Sequence, residues 1–526
     1  MAIDFDVVII GSGFGGAVCA YRLATAGASV LVLERGRRWT PRNFPRQPTD
    51  PWLWDDRRVE QCHGWFDFRV FNNMSVVQGA GVGGGSLVYA NISVDAKSDT
   101  FDQGWPSQIT FAMMQDQYAK VKQMLESKPV PKEQWPERTK LLEDAARRAG
   151  YLDKFRRLDL AVQFDEQWRY DLPDAHNHAH SKERVNVVGV KQGTCVHLGN
   201  CDIGCDVNAR NTLDLNYLKG AEDAGAEIRP YHIARKITPI AGGYEIDVDE
   251  IVEGTPTTLR PAKVSGKIAV IAAGSLGSTE LLLRSRDAGA LTNVSARLGF
   301  GWSSNGDFLT PAIHAFRRPP VDPTHGPTIT AAIDLLGGEF RDQAIFIEDG
   351  GLPDVARAWL EDLANEGGST DPQRDRVIKT LLLIFGSGRL LSQVMPWFAQ
   401  ARDAADGRLF LENGRLNLDW KIAASRPTMN AVVALHQRLA LLTGGVPLTP
   451  FTWTVGEDLI TPHPLGGCNM GVTADTGVVD QAGEVFGHSN LFVADGAIVP
   501  EAIGLNPSKT IAALAEWIAG GIATRA

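Results

Sequence analysis

The sequence predicts an α/β (α+β) chain: a Rossmann-like nucleotide-binding domain, and a second domain built on a mostly antiparallel sheet. Three observations lead there. The N-terminus reads strand, glycine turn, helix, strand, acid within 34 residues. A second glycine-rich segment follows near residue 80. The chain has 526 residues, and chains beyond roughly 250–300 residues divide into domains.

The first unit is local and complete. Residues 5–10 form an apolar run of strand length, and Gly11-Ser12-Gly13-Phe14-Gly15-Gly16 follows at once. Residues 17–26 read as a helix with small residues toward the sheet, and residues 29–33 as a second strand ending at Glu34. Gly11 permits the tight turn, Gly13 lets the backbone approach a pyrophosphate, and Gly16 lets helix and strand pack closely. Phe14 and Gly15 open the helix, whose free amides favour phosphate. Glu34 is placed to accept hydrogen bonds from ribose hydroxyls. The competing reading is a glycine-rich structural turn, and the flanking strands and acid argue against it. This unit alone does not separate FAD from NAD.

Residues 73–91 contain Gly79, Gly81, Gly83, Gly84 and Gly85. Each glycine costs about 0.5–1 kcal/mol in regular structure, so this segment predicts a loop whose backbone must touch something. Val76, Val77, Leu87 and Val88 flank it and argue against a flexible linker. Residues 268–278 read as a strand and turn through Gly274, with a helix at 279–284, and residues 490–496 as a strand ending at Asp495 and Gly496. On these segments the sequence resembles the glucose–methanol–choline oxidoreductase family, and within it the cholesterol oxidase-like branch. The resemblance covers most of the chain, less clearly about 105–190 and 315–450. It implies bound FAD, with Gly81, Gly83, Gly84, Gly85, Ser86 and Asn91 in the loop along the cofactor, and Gly274, Asp495 and Gly496 beside it. Some family members attach FAD through a histidine, but His63 is too far from Gly81 to match, so non-covalent FAD is expected.

Two C-terminal segments carry the chemistry. His463 lies in Thr461-Pro462-His463-Pro464-Leu465-Gly466-Gly467, a constrained loop, and histidine is the natural base for an alcohol proton near neutral pH. Taken alone it would more often be structural. Asn506-Pro507 opens an apolar helix over 511–518. Asn suits a helix cap and Pro the first turn, and such a helix could aim its positive end at the flavin. The resemblance implies that His463 positions and deprotonates an alcohol. It also implies that Asn506 contacts the alcohol oxygen and flavin, that Pro507 lies at the cofactor, and that hydride passes to flavin N5. The expected function is oxidation of a bulky apolar, steroid-like alcohol by FAD, with oxygen or another electron acceptor. The alternatives are another chemistry on the same fold, such as a lyase or decarboxylase, or a non-catalytic lipid- or partner-binding protein. The His463 and Asn506 pair argues against both.

Other clusters are weaker. Cys195, Cys201 and Cys205, with His197, match no standard metal module, and a structural turn is expected. His176, His178 and His180 alternate in a polar stretch, so no metal site is assigned. Glu348 is a weak match for the carboxylate that cholesterol oxidases use in double-bond isomerisation, and reads more readily as a polar loop residue. The aromatic stretches Trp52, Trp54, Trp65, Phe66, Phe68, Phe71 and Met395, Trp397, Phe398 fit core packing and a substrate wall equally well.

Residues 1–40, 72–100, 195–312 and 455–526 are expected to form a discontinuous FAD-binding domain. Residues 41–71, 101–194 and 313–454 would form the substrate-binding domain. Residues 201–218 read as helix, 226–229 and 243–248 as strands of a small sheet over the adenine end. Residues 313–316 and 408–411 read as strands, 354–366 and 429–442 as helices, and 360–378 as a charged surface stretch. The formal charge of -10 and the lack of basic runs exclude nucleic acid as a natural partner. No apolar run is long enough for an integral membrane segment, and the N-terminus lacks a signal-peptide pattern. Six scattered cysteines are no disulfide framework, so a cytoplasmic protein is expected.

Overall fold

The computed structural model describes residues 3–353 and 388–525. The helix expected at 354–366 and the charged stretch at 360–378 lie outside the described residues. Strand β1 (Phe5–Ile10) buries Val7, Val8 and Ile9 completely. An apolar run covered on both faces is what a central parallel strand needs. Helix α1 (Phe14–Thr25) returns the chain to β2 (Val30–Leu33), which runs parallel to β1. Beyond β2 lies β3 (Glu227–Arg229), also parallel.

The other side of the sheet hangs on one long strand. Strands β4 (His232–Ile240), β5 (Gly243–Val252) and β6 (Thr258–Ile271) follow in sequence, and β6 changes partner along its length. Residues Thr258 to Gly266 run antiparallel to β5, and Gly266 to Ile271 run parallel to β1. Its last residues, Ala269 to Ile271, also pair in parallel with β7 (Leu491–Val493), after helix α2 (Gly274–Asp287) and a long excursion. The ribbon of β4 and β5 is therefore part of the seven-stranded sheet. The small sheet expected from the resemblance forms as an extension of this one, because β6 runs on unbroken for 14 residues and serves both sets of partners. Helix α3 (Ser508–Ala523) closes the layer against α1, through Arg22 Nε to Glu516 Oε2 at 2.6 Å and Tyr217 Oη to Glu516 Oε1 at 2.8 Å.

The second layer is a six-stranded sheet in the order Gly445–Pro447, Phe308–His314, Val394–Ala401, Gln343–Asp349, Ala331–Phe340, Phe155–Arg157. Every neighbouring pair is antiparallel. The boundary expected at residue 312 falls inside one of these strands. Side chains alternate between faces. Ile345, Ile347, Met395, Trp397 and Ala399 join one core with the helices Glu137–Ala149 and Ile422–Leu442. Phe346, Glu348, Phe398 and Gln400 point the other way, toward the nucleotide layer. Trp397 and Met395 are thus core residues, while Phe398 faces inward.

Residues 201–218 are not a helix. Short 3-10 turns at Cys201–Ile203 and Leu213–Leu215 precede a helix only at Tyr217–Asp223. Gly204 and Asn208 take left-handed backbone (φ 96° and 52°), which interrupts any helix.

Two glycines test the packing. A Cβ on Gly15, in the first turn of α1, would lie 1.6 Å from the Ala494 carbonyl oxygen, whereas one on Gly520, in α3, would meet nothing within 4 Å. Gly15→Ala should cost roughly 3 kcal/mol or more. Gly520→Ala should gain about 0.5–1 kcal/mol. Urea unfolding of both variants checks the pair.

Candidate active site

A continuous cavity of about 560 Å³ lies between the two layers. Gly11, Gly13, Phe14, Gly15, Glu34, Gly84, Gly85, Gly274, Asp495 and Gly496 line it, and so do His463, Asn506 and Pro507. Segments hundreds of residues apart meet on one wall because β1, β6 and β7 end side by side.

The two glycine loops touch each other at this wall. A Cβ on Gly84 (φ 51°) would lie 2.6 Å from Gly13 Cα, while the space over Gly13 is clear to 4.0 Å. Gly11 (φ 101°) turns under Ala272, and Gly16 packs against the Gly11 carbonyl. Glu34 is buried and already engaged: its Oε2 accepts from Ser12 N at 3.2 Å and Ser12 Oγ at 2.5 Å, and its Oε1 from Gly36 N at 2.9 Å. Asp495 accepts from Gly274 N, Ser278 Oγ and Ala497 N. It thereby ties the start of α2 to the end of β7.

Gly16, Gly81, Gly83, Ser86 and Asn91 do not line the cavity. They shape the loop from behind. Gly81 packs under Trp39, and Ser86 Oγ donates to Gly83 O at 2.7 Å. Asn91 Oδ1 accepts from Arg210 Nε at 2.7 Å. The Arg210 guanidinium also donates to the carbonyls of Ser86, Leu87 and Tyr89. Arg210 escaped the sequence reading, since nothing local links it to a loop 120 residues earlier.

At the opposite end His463 Nδ1 lies 2.9 Å from Asp307 Oδ1 and 3.1 Å from Oδ2, and donates to this carboxylate. Its side chain is 19% exposed, and the Asp307 side chain is fully buried. With Nδ1 engaged, Nε2 is the ring nitrogen left for the cavity. His463 N donates to Thr461 Oγ1 at 2.9 Å, which itself lies 2.5 Å from Asp307 Oδ2. Burial raises the Asp307 carboxyl above its usual range, and His463 and Thr461 partly offset this.

One turn sets these positions. Asn305 and Gly306 take left-handed backbone (φ 56° and 65°). Asn305 Nδ2 donates to Leu505 O at 2.9 Å and its Oδ1 accepts from Gly504 N at 2.8 Å, which fixes the chain just before Asn506. Ser303 exchanges backbone hydrogen bonds with Leu465, two residues after His463. The Asn-Gly pair signals a turn in the sequence, but its role was not legible.

Asn506 does not cap the helix. Pro507 occupies the cap position of α3 and supplies no side-chain acceptor, so the first-turn amides stay open beside the cavity. The Asn506 carboxamide lies instead against Glu348. Glu348 is no polar loop residue: it stands on the strand Gln343–Asp349, fully buried, and accepts from Gln400 Nε2 at 3.0 Å. Burial pushes its carboxyl well above the usual range. Asn506 Oδ1 and Glu348 Oε1 are buried with no hydrogen-bond partner among the described residues.

The weaker clusters make backbone hydrogen bonds. Cys195 Sγ accepts from His197 N and Cys205 Sγ from Ala209 N. Neighbouring Asp202 lines the cavity. His176 and His180 bond backbone carbonyls, and His63 Nδ1 bonds Val59 O at 2.9 Å, away from the cavity lining. Phe66 lines the cavity, Trp65 is core, and Phe68 is exposed.

A cavity walled by a dinucleotide turn at one end and a carboxylate-held histidine at the other is the layout of a cofactor-dependent oxidoreductase. The N- and C-terminal family models of GMC oxidoreductases match residues 5–298 and 442–515, and the chain belongs to this family. It is an oxidoreductase of a flavoprotein family acting on alcohols. It is similar to a cholesterol oxidase of Acinetobacter baumannii, 28% identical over 98% of this chain and 93% of that one. A cholesterol oxidase of Mycobacterium tuberculosis is 29% identical over 98% and 90%. The crystal structure of pyridoxine 4-oxidase from Mesorbium loti superposes with a TM-score of 0.61 at 17% identity, covering 98% of this chain and 99% of that one. That likeness concerns the fold. Among the described residues no helix is long and apolar enough to cross a membrane.

Glu348 makes stability depend on pH. Its folded value lies above the ordinary 4.5, so the folded state holds this proton where the unfolded chain has lost it. The group's contribution is fully present below pH 4.5 and is lost as pH rises toward the folded value. Urea titrations from acid to mildly alkaline pH should show wild type losing stability relative to Glu348→Gln throughout that rise. A difference that is flat with pH would contradict the assignment.

Proposed function

We propose that the protein is an FAD-dependent enzyme that oxidises the CH–OH group of a bulky, steroid-like alcohol to a ketone or aldehyde. The observation that carries this reading is that His463 and Asn506 share one cavity with the Gly11–Gly15 turn. The residues fit the cofactor: the backbone at Gly13 and Gly84 is bare, the first amides of α3 are uncapped, and Asn506 Oδ1 lacks a partner. Gly11, Gly13, Phe14, Gly15, Glu34, Gly84, Gly85, Gly274, Asp495, Gly496 and Pro507 would hold the FAD, with Gly16, Gly81, Gly83, Ser86 and Asn91 behind them. Bound FAD supplies the hydride acceptor. The position of His63 supports non-covalent attachment.

His463 Nε2 accepts the alcohol proton, and Asn506 hydrogen-bonds the alcohol oxygen, so that the carbinol C–H is presented in one orientation. The open helix end of α3 favours negative charge beside it. Leu309, Ile329, Phe398 and Ile460 give the cavity an apolar wall suited to a ring-shaped hydrocarbon. The two cholesterol oxidase relatives support the same substrate class. The FAD would be held by the seven-stranded sheet and the alcohol under the six-stranded one.

Anaerobic addition of sterols and of small alcohols to the purified protein tests this. Flavin absorbance should bleach with sterols and not with short alcohols, and readmitted air would show whether oxygen reoxidises it. His463→Ala should slow bleaching about 10²–10⁴-fold with the flavin spectrum unchanged. A flavin that no alcohol bleaches would sink the proposal.

A further inference from the structure

We infer that Asp307 is the positioning residue for His463: it fixes the tautomer that leaves Nε2 able to take a proton, and it pairs the imidazolium that results. The inference rests on the proposed reading of His463 as the base. The argument begins with geometry. Both carboxylate oxygens of Asp307 face Nδ1, at 2.9 and 3.1 Å, a bifurcated contact that restrains ring rotation. Thr461 Oγ1 lies 2.5 Å from Oδ2 and accepts from the His463 amide at 2.9 Å, so backbone and ring of the same histidine are tied to one carboxylate. The Phe398 ring lies 6.2 Å from the imidazole, centroid to centroid.

The carboxylate is held rigidly in its turn. Asp307 directly follows Asn305 and Gly306, whose left-handed backbone is locked, and a Cβ on Gly306 would lie 2.4 Å from the Ala401 carbonyl oxygen. Asp307 is 1% exposed. Among the described residues no lysine or arginine bonds it, so His463 is its only cationic counterpart. The other acids nearby do not compete. Burial pushes the carboxyl of Glu348, from the strand Gln343–Asp349, well above its usual range, and its oxygen accepts from Gln400. Asp403, from the loop after Val394–Ala401, is turned away and satisfied by Ser303 and Ser304.

The chemistry follows. A carboxylate at Nδ1 requires a proton there, so the neutral ring carries its lone pair on Nε2. When the alcohol O–H breaks, its proton forms an N–H bond at Nε2, and the electron pair of that O–H bond forms the carbonyl, while the carbinol hydride would pass to the FAD that the glycine loops would hold. The positive charge on the ring then faces a buried negative partner, which needs no reorganisation to receive it. The proton later returns to solvent from Nε2. The arrangement uses the logic of a hydrolase triad, in which an acid orients the histidine without taking its proton.

The test compares Asp307→Asn and His463→Ala in the flavin-loaded enzyme with a bleaching sterol. Asp307→Asn should lower kcat roughly 100-fold or more, with flavin spectrum, melting temperature and KM nearly unchanged. A kcat within about twofold of wild type, while His463→Ala is inactive, overturns the inference and spares the proposed base. If His463→Ala stays active, the base reading fails and the role of Asp307 falls with it. Should Asp307→Asn not fold, Asp307→Glu keeps the charge and displaces it. Loss of kcat there with KM retained supports positioning, and full activity overturns it.

Discussion

The turn at residues 303–307 is the constraint on which the alcohol end of the cavity depends. Ser303 grips the chain after His463, Asn305 grips the chain before Asn506, and Asp307 grips the His463 ring. These contacts come from five consecutive residues, so the two candidate catalytic side chains cannot shift independently. The turn is anchored to the six-stranded sheet through Ala401 N to Asn305 O at 3.1 Å. Motion in that sheet would therefore reach both residues together.

Three buried carboxyls near the site show how local partners decide a charge. Asp349 accepts from Thr330 N and Ala331 N at 2.8 Å and from two threonine hydroxyls, with Arg138 4.0 Å away. Asp307 has one hydroxyl and one imidazole. Glu348 has the amide of Gln400 and the Asn506 carboxamide. Burial raises all three, and Glu348 well above its usual range. Adjacent residues on one strand thus differ: Asp349 faces a full set of donors, and Glu348 is the carboxyl driven furthest toward its neutral form.

The nucleotide half was legible because its signals are local. A strand, a glycine turn, a helix and an acid lie within 34 residues, although the backbone that Gly11 and Gly15 pack against, at Ala272 and Ala494, lies far along the chain. The alcohol half was legible only as isolated motifs. His463 and Asn506 could be named, but Asp307, which sits 156 residues before its partner, could not. Glu348 was misjudged because the acidic pair beside two glycines looks like a turn, whereas strand pairing to Phe398 carries it into the interior. Residues 201–218 failed as a helix for a related reason. Side chains with helical spacing were present, but left-handed glycine and asparagine override propensity.

The position of β7 has a consequence for how the chain is made. Its partner β6 is complete once residue 271 has been synthesised, yet the edge that β7 covers stays open until residues 491–493 appear. At roughly 5–20 residues per second, a ribosome needs tens of seconds to span that gap. Helix α3, which buries Glu516 against Arg22, comes later still. During that interval a fully apolar strand edge is exposed to neighbouring nascent chains. Sequestration by a chaperone, or by an early-bound nucleotide, would be felt most in those seconds. Assembly of the cofactor layer is thus a matter of translation timing as much as of sequence.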